Sequence, residues 1–362
     1  MTGMICMRRH IAAPACGRKG ASNRPRRAFH SRPCIPGLPP ARAEPHIFHE
    51  RLQLDLRHRR RGAGRSKRQQ ETKMLASFAS KNLRSALLAI LPCAIAAPAL
   101  AASPVTYVSA SGSDSGGCAT AASACRTFAY AIGQTSAGGD MKAIDAGDFG
   151  PFTINKAISV TGAPGASAGQ SGPFDVITVA AAVTDSVNIS GLVIQGLNNT
   201  GYIGVKVNSA GLVTIKNCHL RNLKGNGVFI QASGAVGGKV RYLIEDTTIA
   251  KVAGHGISLS AINNVADGVI NRVSISGAGS AGIASEKFSY GDVTDTTVVN
   301  SGVGFKAGSD GWIQLARSTA TANNTGLLID PNAYGVFSFG NNLIYHNGSN
   351  ISGGVPTVLQ LK

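Results

Sequence analysis

The chain has 362 residues, 45 glycines, 6% aromatic residues and a formal net charge of +17. The charge is local: residues 1–73 hold 18 Lys/Arg against 4 Asp/Glu, whereas from Ala102 onward there are 15 against 14. A near-neutral main segment excludes nucleic-acid binding argued from overall basicity, and it disfavours strong electrostatic capture of a polyanion.

Residues 1–73 contain Arg59-Arg60-Arg61 and scattered prolines, with no repeating pattern. Two readings stand: a disordered basic arm that binds nucleic acid or anionic surfaces, or a start assigned too early with translation beginning at Met74. Residues 74–101 read as a secretory signal. Lys81 and Arg84 form a positive flank, Ser85 to Ala99 is mostly apolar, and Ala99-Leu100-Ala101 is a small-x-small cleavage site. The expected destination is the periplasm, the cell surface or the medium, with no membrane span once the signal is removed. Cys118 and Cys125, seven apart in a Gly/Ser/Ala-rich stretch, suit a disulfide in an oxidising compartment. Cys218 falls at an inward strand position and reads as a buried, inert thiol.

From about residue 137 the chain becomes periodic. Gly204-Val205, Gly227-Val228, Gly256-Ile257, Gly282-Ile283, Gly304-Phe305 and Gly326-Leu327 recur with gaps of 23, 29, 26, 22 and 22 residues. Such a period, with β-branched residues at alternate positions, is the mark of a solenoid. Seven residues before three of these glycines stand Leu220, Ile249 and Ile275; nine before, Cys218, Thr247 and Val273; twelve before, Ile215, Ile244 and Ile270. Spacing of two is strand spacing, and the step from twelve to nine requires a turn. The turn pairs are Lys216-Asn217, Glu245-Asp246 and Asn271-Arg272, where Asn and Asp tolerate a left-handed backbone. About nine coils are predicted between residues 137 and 348, a rod of ~40 Å at a strand spacing of ~4.8 Å.

The segment Tyr107-Val108-Ser109-Ala110-Ser111-Gly112-Ser113-Asp114 precedes Cys125-Arg126-Thr127-Phe128 and a short helix through Ala131. It is followed by Ala137-Gly138-Gly139-Asp140, Asp145-Ala146-Gly147 and Phe152-Thr153-Ile154. Together with the repeats, it resembles right-handed parallel β-helix proteins of the pectin-lyase-like superfamily. The resemblance spans nearly all of residues 102–362 and implies an all-β solenoid domain whose open end is covered by a short N-terminal helix. It leaves activity open, because the superfamily holds lyases, hydrolases, esterases and scaffolds.

Gly254-His255-Gly256 looks like the Gly-His-Gly segment of polygalacturonases. The carboxylates such hydrolysis needs are missing: the stretches one and two coils earlier read Gly225-Asn226-Gly227 and Asn199-Thr200-Gly201. His255 then reads as the variable residue of a Gly-x-Gly corner. A polysaccharide lyase would need acids for calcium and a base for the C5 proton of a uronate. Glu245, Asp246, Lys216 and Arg272 supply those residue types, but stacked coils would pair them as a surface ladder of ions. Asp145 with Asp148, and Asp292 with Asp295, are further candidate cation pairs. Lys306, Asp310 and Trp312 cluster in sequence, and Trp312, the only tryptophan, is a candidate sugar platform. No cofactor is expected, and calcium is the one metal the turn acids would suit. Two functions follow: a protein that binds or processes an extracellular polysaccharide or cell-surface glycan, or a non-catalytic surface or adhesion scaffold.

Overall fold

The computed structural model describes residues 102–234 and 238–360; the basic leader (1–73) and the signal (74–101) lie outside them. Three parallel sheets wind around one axis: sheet 1 with eleven strands, and sheets 2 and 3 with nine each. One coil shows the path. Leu212–Lys216 lies in sheet 1, His219–Leu223 in sheet 2 and Val228–Ile230 in sheet 3, and Lys239–Glu245 returns to sheet 1. This order of strand, tight corner, strand, glycine corner and strand is the one predicted.

The β-branched residues form inward columns. In sheet 1 the column runs Ile189, Ile215, Ile244, Ile270, Val293, Leu315, each in register with the next. Sheet 2 stacks Ile194, Leu220, Ile249, Ile275, Val298, Ala320. Sheet 3 stacks Ile177, Val205, Val228, Ile257, Ile283, Phe305, Leu327. All these side chains are buried, and each large one stabilises the rod by roughly 1.5–3 kcal/mol relative to exposure.

The corners explain the other recurring residues. Only the second residue of each tight turn is left-handed: Asn217, Asp246 and Arg272 have φ of 52°, 47° and 52°, and Asp295 and Arg317 continue the column at 48°. The first residue of each pair ends the sheet 1 strand. Cys218 lies just past the turn, buried rather than within a strand, and burial pushes its thiol up to about 11. At the glycine corner the constraint is crowding. A Cβ on Gly204, Gly227 or Gly256 would lie 2.6 Å from the carbonyl oxygen of the matching glycine in the next coil.

The two ends differ. At the N-terminal end Asp114 accepts from the Arg126 and Thr127 amides at 2.8 and 2.9 Å and from the Thr127 hydroxyl at 2.8 Å. Thr127 in turn caps the helix Phe128–Gln134. Phe128 packs on Phe149 and Phe152 with ring centroids 5.3 and 4.9 Å apart, which closes the first coil. Cys118 and Cys125 are bonded, with Cα atoms 5.3 Å apart. At the other end Leu343, Ile351 and Val358 on the last strands are exposed.

Candidate functional site

The tight corner between sheets 1 and 2 brings together Lys216, Glu245, Asp246 and Arg272. Arg272 donates to Asp246 through two nitrogens, at 2.6 and 3.1 Å, and its Nη2 lies 3.7 Å from Glu245. Lys216 Nζ sits 3.4 Å from Glu245 and 3.8 Å from Asp246. Asn271 also donates to Glu245 at 3.4 Å. The ladder continues into Asp295, held by Arg317 through two bonds at 2.8 and 2.7 Å. The Arg272 hydrogen bonds hold the Asp246 carboxyl below its ordinary value, and Arg317 does the same for Asp295. Every acid here already has a cation, which leaves neither a free base nor an open ligand set. Among the described residues no three His, Cys, Asp or Glu side chains converge as metal ligands.

His255 occupies the glycine corner. Its amide donates to Asn226 Oδ1 at 2.8 Å, and its Nδ1 accepts from the Ala281 amide at 3.2 Å. Burial lowers its pKa first, while Glu286 and Lys306 nearby oppose each other. Those two residues are paired at 2.5 Å on sheet 3. His255 is thus a link between stacked corners, its Nδ1 already engaged.

The Asp pairs separate. Asp145 accepts from the Ser109 hydroxyl and the Ala110 amide, at 2.6 and 2.9 Å, tying the first coil to the N-terminal cover. Asp148 accepts from Ser167 and from the Gly150 amide. Asp292 lies on the outer face of sheet 1, whereas Asp295 belongs to the corner ladder. Lys306, Asp310 and Trp312 also part company. Lys306 is on sheet 3, left-handed Asp310 is at the corner, and Trp312 is on sheet 1. A shallow polar depression of about 350 Å³, bounded by Gly277, Asn300 and Asn324, carries no charged group.

Trp312 does have company, from other coils. It sits in register with Tyr290, their ring centroids 5.9 Å apart. Tyr290 stacks on Tyr334 at 6.5 Å with 7° between planes, and Trp312 meets Phe337 at 5.5 Å. The four rings form one partly exposed face on and beside sheet 1, with Tyr334 half exposed. Two residues beyond Tyr290 and Trp312, on the same face, Asp292 and Gln314 are neighbours in register. Burial and, secondarily, Asp267 raise the Asp292 carboxyl above its ordinary value. Its Oδ1 is buried and receives no hydrogen bond from the described residues. Asp267 itself is paired with Lys239. One signal for this face stood in the sequence: Tyr290, Trp312 and Tyr334 recur at intervals of 22, the period of the last coils.

Beneath the backbone of Tyr290 the interior holds Tyr242. This buried ring lies in register with Gly268, and its hydroxyl donates to the Tyr290 carbonyl at 2.6 Å. A Cβ on Gly268 would meet the Tyr242 carbonyl oxygen at 2.0 Å and its ring at 2.8 Å.

A family model described as a right handed beta helix region matches residues 203–358. The crystal structure of pectate lyase Pel9A is similar to the chain with a TM-score of 0.52 and 15% sequence identity, covering 70% of this chain and 72% of that one. At that identity the likeness is one of fold. No curated protein matches the chain. Among the described residues no helix is long and apolar enough to cross a membrane.

Proposed function

We propose that this chain, a right-handed parallel β-helix related to the pectin-lyase-like superfamily, binds a polysaccharide on the outer face of sheet 1 without cleaving it. The observation that carries this reading is the aromatic face of Tyr290, Trp312, Tyr334 and Phe337. Aromatic rings give a sugar's apolar face a large contact area at low conformational cost, and the adjacent Asp292 and Gln314 supply acceptors and donors for its hydroxyls. Rings on successive coils suit an extended polymer lying along the rod. The engagement of Glu245, Asp246, Lys216 and Arg272 with one another, and of His255 with its own corner, supports binding over cleavage. The Cys118–Cys125 bond supports an exported, extracytoplasmic setting for this binding.

The test is affinity electrophoresis of the purified protein through a panel of plant and bacterial polysaccharides, with release of reducing ends followed with and without calcium. Retardation by at least one polymer with no new reducing ends is the expected result. Release of reducing ends would make the protein an enzyme, and no retardation in any gel would leave the non-catalytic scaffold as the better reading.

A further inference from the structure

The aromatic face carries an acceptor with nothing to accept from. Buried polar atoms are nearly always hydrogen-bonded, and an orphan acceptor costs the folded chain its full desolvation penalty. Among the described residues only two side-chain atoms are in this state, Asn208 Oδ1 and Asp292 Oδ1. Asp292 is the one beside the rings, two residues along the strand from Tyr290 and in register with Gln314. Its diagonal neighbour Asp267 has its charge met by Lys239, but no cation of the described residues forms an ion pair with Asp292.

We infer that Asp292 makes this face selective for glycans without carboxylates: with Oδ1 buried, its other oxygen, Oδ2, accepts a hydroxyl of a neutral sugar stacked on Trp312, and the carboxylate repels a uronate in the same position. The inference rests on the glycan-binding reading above and adds the class of ligand. A neutral pyranose presents an apolar ring face to Trp312 and hydroxyl donors at its rim, which match an acceptor oxygen and the Gln314 amide. A uronate brings a second carboxylate to a place where one is already poorly solvated. Like charges opposed in a partly buried site are a device for rejecting the wrong ligand. The raised affinity of Asp292 for its proton, caused by burial and by Asp267, agrees with a carboxylate that lacks compensation.

The experiment compares the full-length protein with its D292N and W312A variants in affinity gels containing a soluble neutral glucan, a galactomannan or polygalacturonate at pH 7. Wild type is expected to bind a neutral polymer at least about tenfold more tightly than polygalacturonate. D292N is expected to narrow that ratio about tenfold, by gaining polygalacturonate binding, and thermal melting confirms that it folds. A second variant, D292S, removes the charge with a different side chain and should narrow the ratio likewise. Equal or tighter binding of polygalacturonate by wild type overturns the inference, as does an unchanged ratio in both folded variants. In either case the glycan-binding reading stands provided that W312A weakens whatever binding is seen. If no polymer binds wild type, or W312A binds as wild type does, the underlying reading falls and the inference with it.

Discussion

Asp246 and Asp292 are both acids on or beside sheet 1, two coils apart, and their surroundings are opposite. Asp246 receives two hydrogen bonds from Arg272 and has Lys216 within 3.8 Å. Asp292 has a buried oxygen with no donor and four aromatic rings for company. The lesson is that charge density alone does not mark a site. The corner is the more highly charged of the two regions, yet its groups satisfy one another. The face with fewer charges is the one whose bonding is left incomplete.

The comparison breaks most severely if the support beneath the backbone of Tyr290 is removed. Gly268→Ala forces a methyl group into Tyr242 and should destabilise the protein by roughly 3 kcal/mol, read from denaturant unfolding. The aromatic side of the contrast predicts that Trp312→Ala lowers affinity for a bound glycan by tenfold or more, ~1.4 kcal/mol or above, in titration calorimetry. A smaller effect, and one of opposite sign for stability, is expected of Asp292→Asn. The folded pKa of Asp292 lies above the ordinary 3.8, so its ionised form costs stability at neutral pH, and that cost fades as pH falls towards 3.8. The variant should therefore melt higher than wild type at pH 7, with the gap closing as the medium is acidified.

The corner acids sharpen the contrast in the other direction. Asp246 and Asp295 have folded values below 3.8, so their stabilising contribution is complete above 3.8 and is lost as pH falls through the lower folded values. Asp246→Asn should lower the melting temperature only slightly at pH 7, the smallest shift of these changes, with the loss shrinking in high salt, because the pair is exposed and screened. A large, salt-independent loss would mean that the ladder does more than decorate a corner.

Much of the fold was legible because the repeat exposes its own physics. Alternate β-branched residues named the inward columns, and the pairs Lys216-Asn217, Glu245-Asp246 and Asn271-Arg272 located the tight corner. That Arg272 and Arg317 would take the left-handed position was not legible, since the preference for Asn and Asp is only a preference. The ladder was foreseeable from counting coils. The aromatic face was missed because Lys306 and Asp310 looked like the partners of Trp312. A corner at Gly308–Asp310 turns the chain between them, so nearness in sequence placed them on different sides of the rod. Asp292 was paired with Asp295 for the same reason, and the end of one strand separates them.

Tyr242 has a consequence for how the rod comes apart. In a solenoid each coil usually touches only its nearest neighbours, so melting can advance one coil at a time. Tyr242 spans 48 residues to the Tyr290 carbonyl, passing the coil of Gly268 between them. Three successive coils are thereby doweled into a single cooperative block. Unfolding that begins at the exposed last strands is expected to slow at this block, which holds the backbone of Tyr290.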